Sequence, residues 1–411
     1  MTSVALLHQI TDYANRADPY PLYAELRKTP VVQDEAGPYL VSTYWEIHSL
    51  LHDPRVSSDA RNLAPGAGLV DPEEDPNLPP TFLKLDPPEH DRLRRQAMRT
   101  FGPPHTPRRV FDMRGELAEI VTGLVDGFQG RDQIDLVDDF SYPFPVTVIC
   151  RLLGIPREDE PRFHGWADTL AASIDPATGS AEERQTQQEV VRRARGELSA
   201  YLAELIEDRR RSPRDDMLSA LAAGQGPDGA MSPMEMVSTA ALLLIAGHET
   251  TVNLITNGML TLLRNPDVLQ RLRDDPGLAM PLVEELLRFE PPVQLLPQRS
   301  TLADIDIAGT TIPKGASLWL VLASGNRDPQ RFLDPDRFIP DRPDNQHLGL
   351  GSGIHNCFGA PLARLEAQLA LTELVRRLDN PRLVEDPPPY RRNAVLRGPR
   401  HLGIAVDGLK R

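Results

Sequence analysis

Residues 348–364 read LGLGSGIHNCFGAPLAR, and one cysteine in them, Cys357, organises everything else in the chain. Gly349, Gly351 and Gly353 precede it, Gly359 follows it, and His355 stands two residues before it. Glycines at this density let backbone approach a large flat group closely. A lone thiolate on such a loop, with the backbone N–H groups of Phe358 and Gly359 near the sulfur, suits an axial ligand to haem iron. The plainer alternative is a turn that happens to carry a cysteine. For one cysteine among glycines, taken alone, that alternative is the better reading.

The gross numbers narrow the field. The chain has 411 residues, enough to bury a large core, and length alone suggests two or three domains. Its net charge of −14 argues against nucleic acid or an anionic membrane as the main partner. Two cysteines, Cys150 and Cys357, fit a reducing cytoplasm. The N-terminal MTSVALLHQITDY has neither a basic start nor a long apolar core, so no signal peptide is expected. The longest apolar run, AALLLIAG at 240–247, is far short of the roughly 20 residues of a membrane span.

Helical patterns dominate the first three quarters. DPYPLYAELRKTP reads as helix and VVQDEAGPYLVST as short strands; residues 61–80 read as a long loop. Helical segments are expected from Pro87 to Phe101, from Arg108 to Leu221 with breaks at Pro143–Pro145 and Pro156, and from Glu182 to Arg211 after an interruption at 175–183. SPME at 232–235 is a capping box: Ser232 caps, Pro233 takes the first turn and Glu235 reaches back. The helix it opens can run to Arg264, roughly 48 Å, before Asn265–Pro266 stops it. After Pro291 the texture turns to strands: ADIDIAG alternates, TTIPKG reads as a turn and SLWLVLAS as a strand. The fold class expected is mainly α with a smaller β portion.

Several polar residues stand where they need a reason. Glu249 and Thr250 lie in AGHETT, midway along the long helix, where unpaired polar groups are costly. One explanation is structural: a back-bonded threonine and an ion-paired glutamate. The preceding Ala246–Gly247 pair favours another, because it clears side-chain bulk where a planar group could press on the helix. His248–Glu249 does not open a zinc site, since Val252 stands where an HExxH second histidine belongs. Glu285 and Arg288 are three apart on one helix face, a pattern common in surface pairs. His90 and Arg94 are four apart on one face and suit a pair of carboxylates such as haem propionates; as single residues they read as solvated surface. There is no CxxCH for covalent haem, Gly349, Gly351 and Gly353 do not make a GxGxxG because Ile354 follows, and no flavin or iron–sulfur segment is recognisable, so electrons are expected from outside.

The segment around Cys357 resembles the haem-binding loop of the cytochrome P450 family, usually written FGxGxHxCxG. The resemblance extends from ARNLAP and DPPEH through AGHETT, EELLR and GIHNCFG to NAVLRGPRHL. One residue departs: the family's phenylalanine is Leu350 here, which removes an aromatic ring beside the sulfur and bears on the iron's potential rather than on ligation. The resemblance implies a single P450 catalytic domain over residues 1–411, with no fused reductase and no membrane anchor, overruling the prior from length. It implies haem b with Cys357 as the iron's thiolate ligand, and Ala246, Gly247 and Gly359 against the ring. His90, Arg94, Arg299 and His355 would bind the propionates. Glu249 and Thr250 become the acid–alcohol pair that manages protons, and Glu285 with Arg288 a buried structural pair.

The implied reaction inserts one atom of O2 into a small apolar organic substrate and releases the other as water, with an external ferredoxin and ferredoxin reductase supplying electrons in the cytoplasm. Arg95, Arg99 and Arg364 are candidates for ferredoxin docking. By position the substrate pocket draws on residues 61–85 and 166–181, with Leu243, Ala246, Leu295, Leu296, Ala394 and Val395 as apolar wall. Polyketide, macrolide, terpenoid, steroid and fatty-acyl substrates all suit such a wall. A haem-thiolate sensor without turnover and a peroxide-driven enzyme of the same fold are the alternatives. Neither needs the acid–alcohol pair.

Overall fold

The computed structural model describes residues 4–35, 37–67, 79–101, 109–172, 181–224 and 229–410. Helices predominate, with small sheets, and the chain divides into two compact units. One comprises residues 1–69, 115–144 and 250–411; the other comprises 70–114 and 145–249.

The first unit holds the β portion. Its five-stranded sheet runs in the order Val31–Gln33, Tyr39–Val41, Ser317–Leu320, Leu296–Thr301, Val56–Ser57. Only the Tyr39–Val41 and Ser317–Leu320 pair is parallel, with Leu40 opposite Trp319. These two central strands are buried along their whole length and read as nearly continuous apolar runs, YLV and SLWL, whereas Leu296–Thr301 is the polar LPQRST. Val41, Leu318 and Leu320 pack with Tyr44, Ile47 and Phe332, while Leu40, Trp319 and Val321 pack with Tyr23 and Leu26. In the same unit the helices Ala279–Phe289 and Ala360–Arg377 pack against each other.

Three local expectations need correction. The strand in SLWLVLAS ends at Leu320, and Leu322–Gly325 is a helical turn. TTIPKG is not all turn: Thr310–Ile312 is a strand, paired with Ile305–Ile307 across Ala308 and Gly309. Both of those residues have positive φ, the twist a two-residue hairpin demands. The break expected at Pro143–Pro145 lies at Pro143 alone, between the helical turn Val137–Ser141 and the next helix, and Pro145 sits inside that helix. The Pro143–Leu153 helix starts at Pro143, where a missing N–H costs nothing.

The second unit is helical. Glu89–Phe101, Glu160–Ala172, Ala181–Arg211 and Met217–Ala223 are its principal helices. Of the interruption expected at 175–183, only 181–183 are described, and they already belong to a helix. The largest charged group it buries is Arg209, which donates to Asp216 at 2.7 Å.

The long helix runs Pro233–Arg264, and the division between units falls within it, between Glu249 and Thr250. Its capping box forms: Ser232 N–H donates to Glu235 Oε2 at 2.7 Å and Glu235 N–H to Ser232 Oγ at 3.2 Å. No described helix is long and apolar enough to cross a membrane.

Candidate active site

The cysteine loop is a sequence of turns closed by backbone hydrogen bonds. Leu348 N–H donates to Asn326 Oδ1 (2.7 Å), Gly351 N–H to Leu348 O (2.9 Å) and Asn356 N–H to Gly353 O (3.1 Å). Cys357 N–H donates to Leu350 O at 2.9 Å, so the cysteine is held by the backbone of the one residue that departs from the family pattern. Two glycines are obligatory. A Cβ on Gly349 would sit 2.2 Å from Leu287 O, and one on Gly353 would sit 2.2 Å from Leu51 O at a φ of 68°.

Gly359 is different. It has ordinary dihedrals (φ −83°, ψ 5°), and among the described residues a Cβ there would meet nothing within 4 Å beyond its immediate neighbours in the chain. Neither strain nor the chain's own packing asks for glycine, so the residue fits a site where a flat group lies against the backbone. Cys357 is half-buried, and the Ala360–Arg377 helix starts three residues later, which places its positive end near the sulfur. Cys150 has none of this: it is buried, and burial pushes its thiol up to about 12, with Glu160 adding to the shift.

The other residues of this unit fall as follows. Arg299 is half-buried on the Leu296–Thr301 strand, opposite Leu318. His355 Nε2 hydrogen-bonds Ser58 Oγ at 2.9 Å, a partner the sequence did not signal. Leu295, Ala394 and Val395 are 1%, 2% and 3% exposed inside one apolar cluster with Trp319. Leu296 is half-buried and packs against the opposite face of the sheet.

In the helical unit, His90 and Arg94 lie one turn apart on Glu89–Phe101; His90 is buried, with Nδ1 2.8 Å from Asp91 Oδ1. Leu243 and Glu249 are buried, whereas Ala246 is exposed in mid-helix. Gly247 has a reason the sequence did not reveal: Ile149 packs so closely that a Cβ would meet its Cδ1 at 3.1 Å. The loop at 61–85 is described except for residues 68–78, and of 166–181 residues 173–180 lie outside the described residues.

Glu285 and Arg288 are both wholly buried and joined by two hydrogen bonds of 2.7 Å. The remaining Arg288 donors go to the carbonyls of Asn326, Pro335 and Arg337 at 2.8, 2.8 and 3.1 Å, so all five N–H groups are used. Glu285 also accepts from Ile339 N–H (2.9 Å), Arg342 Nε and Asn345 Nδ2.

The residue beside it was missed in the sequence. Glu284 takes two hydrogen bonds from Arg364 and one from His347. Burial opposes its ionisation, but these partners outweigh burial and draw the carboxyl down to about 2. The only signal was the Glu284–Glu285 doublet, of which the sequence pattern used one member.

The cytochrome P450 family model matches residues 69–276 and 278–406. The chain belongs to the cytochrome P450 family. It is 40% identical over 400 residues to the cytochrome P450 monooxygenase PikC of Streptomyces venezuelae, covering 94% of this chain and 91% of that one. It is 38% identical over 390 residues to the vitamin D(3) 25-hydroxylase of Pseudonocardia autotrophica, with 93% and 92% covered. The ligand-free crystal structure of Mycobacterium smegmatis CYP164A2 superposes with a TM-score of 0.87 at 40% identity, covering 98% of this chain and all of that one. The mainly α P450 fold and the haem-thiolate monooxygenase class expected from the sequence are thereby established, with haem b as cofactor.

Proposed function

We propose that Cys357 supplies the thiolate to haem b, and that Glu249 and Thr250 manage protons during oxygen insertion. His90, Arg94, Arg299 and His355 bind the propionates in this reading. What carries it is the cysteine loop: a half-buried thiol at a helix start, beside a glycine that the chain itself does not need. When bound, haem supplies the oxygen chemistry; the chain supplies the ligand, the pocket and an ordered proton supply. Residues 1–411 act as one catalytic domain, because the family pattern runs through both compact units and one helix belongs to both.

The test is spectroscopic. The reduced carbon monoxide complex is expected to show the strongly red-shifted Soret band of thiolate ligation, and Cys357→His to lose it. A histidine-type band from freshly reduced wild-type protein would sink the assignment.

The substrate we propose is a bulky apolar natural product of polyketide, terpenoid or steroid type. The vitamin D(3) 25-hydroxylase relative supports that size class. Spectral titration with macrolactones, secosteroids and long-chain fatty acids, followed by mass analysis of turnover products, separates the classes.

The electron donor is an external ferredoxin served by a ferredoxin reductase, in the cytoplasm. An acidic ferredoxin would be steered by local basic charge despite the net −14. Arg95 is exposed, whereas the charge of Arg364 is balanced by Glu284. The rate of reduction by ferredoxin is expected to fall as ionic strength rises. Rapid turnover by pure protein with a pyridine nucleotide alone would contradict an external donor.

A further inference from the structure

Both ends of the cysteine loop converge on Glu284. Ahead of Cys357, Gly349 N–H donates to His347 Nδ1 at 3.1 Å, and His347 Nε2 lies 3.1 Å from Glu284 Oε2. Because Nδ1 accepts, Nε2 must carry the proton and donate it to the carboxylate. Behind Cys357, Arg364 Nε and Nη2 donate to Glu284 Oε1 and Oε2 at 2.6 and 2.9 Å, a bidentate fork. The helix Ala279–Phe289 therefore grips the loop twice: through Glu284, and through Leu287, whose carbonyl excludes any side chain at Gly349.

Global stability is a weak explanation for this arrangement. The Arg364 and Glu284 side chains are 36% and 27% exposed, so solvent screens much of what their charges contribute to folding. The charges have another address. The hydrogen bond to Glu284 holds the Arg364 guanidinium above its ordinary value against its partial burial, and Cys357 adds to the attraction. Arg364 stands on the second turn of the helix that begins three residues after Cys357, so its cation lies close to the cysteine along the chain, with Glu284 as the anion that offsets it.

We propose that Glu284 and Arg364 form a charge-balanced clamp on the cysteine loop. They are positioning residues that hold its two ends and set the reduction potential of the iron through the field at the Cys357 sulfur. The inference rests on Cys357 being the axial ligand. The signs follow from charge alone. Without the Glu284 charge, the unbalanced guanidinium favours the state with one more electron, and the potential rises. Without the Arg364 charge, an unbalanced carboxylate remains and the potential falls. A clamp that acted only by packing would move both variants the same way.

The experiment is a potentiometric titration of haem-loaded full-length protein, comparing wild type with Glu284→Gln, Arg364→Gln and Arg364→Lys. Glu284→Gln is expected to raise the potential and Arg364→Gln to lower it. Each shift corresponds to about tenfold in the reduction equilibrium, ~59 mV for one electron. Arg364→Lys keeps the charge and is expected to stay close to wild type. Equal potentials for the two Arg364 variants, or shifts of one sign for the two glutamine variants, overturn the proposal. If Glu284→Gln fails to retain haem, the Arg364 pair decides alone. Haem loss from both Arg364 variants marks a purely structural residue and also overturns it. A wild-type protein without the thiolate carbon monoxide band would overturn the ligand assignment itself, and is recognisable before any variant is made.

Discussion

Arg288→Ala protein is expected to emerge largely without haem, and Arg288→Lys to be almost as defective. Arg288 is wholly buried, and its five N–H groups reach the two Glu285 oxygens and three backbone carbonyls. Breaking a buried pair costs about 3–5 kcal/mol because the remaining charge stays buried. Here Arg342, Asn345 and Ile339 still hold Glu285, which moderates that part. The Arg337 carbonyl keeps a second donor in Arg342 Nη2 (3.2 Å), but among the described residues no other donor is seen for the carbonyls of Asn326 and Pro335, and each buried acceptor left bare adds about 1–3 kcal/mol. The sum approaches the whole stability of a typical domain, about 5–15 kcal/mol.

Lysine keeps the charge but offers three donors on one atom, which cannot span a carboxylate and three carbonyls arranged around a planar fork. The damage also has an address. Asn326, whose carbonyl Arg288 holds, uses its side chain to fix Leu348 N–H at the start of the cysteine loop. Haem-to-protein ratio and thermal melting of the two variants are the measurements. Normal haem loading with a wild-type melt in Arg288→Ala would show that the network does not govern the loop.

What the sequence made legible were features whose chemistry is local. The capping box at Ser232 needs only residues three apart, and it forms as read. The cysteine loop announces itself by composition, because glycine at 349 and 353 answers carbonyls that would collide with any Cβ. What stayed hidden depends on partners far along the chain. Gly247 reads in the sequence as room for a planar group; that Ile149 also packs against it is a contact nothing near Gly247 in sequence announces. Leu295, Ala394 and Val395 read as apolar wall in the sequence, and nothing near them shows that they share one buried cluster with Trp319. Arg364 read as surface charge, because its partner Glu284 lies 80 residues earlier. The strand ending at Leu320 was overextended for a related reason: VLAS is as apolar as the strand before it, and a helical turn in a buried segment carries no polar stop signal.

Thr250→Ala is expected to leave haem loading and substrate binding nearly intact while diverting electrons from product to hydrogen peroxide. Inserting one oxygen atom and releasing the other as water consumes two protons, which must arrive in order at one atom. Freely entering water delivers protons without that order, and peroxide escapes. A fixed hydroxyl with a carboxylate behind it can hold one water and pass protons singly.

The helix gives this reading a geometric basis. Thr250 lies one turn beyond Ala246 on the same face of Pro233–Arg264. That face carries accessible surface, with Ala246 exposed and Thr250 half-buried, whereas the flanking His248, Glu249 and Thr251 are buried. Consecutive helical residues point about 100° apart, so Glu249 does not face the Thr250 hydroxyl directly. A proton passing between them needs an intervening water, so in the proposed relay Thr250 orders that water and Glu249 resupplies it.

The two substitutions should therefore fail differently. Positioned acid–base groups contribute on the order of 10²–10⁴-fold, so even with partial bypass by water Thr250→Ala should lower product per electron roughly tenfold, electron consumption continuing. Glu249→Gln should instead slow the proton-dependent step and enlarge the solvent isotope effect, with less peroxide than Thr250→Ala. Product, peroxide and consumed electrons measured together in a reconstituted turnover separate the two outcomes. Full product yield per electron in Thr250→Ala would remove this residue from the relay and leave a hydroxyl carried by the substrate as the better source of order.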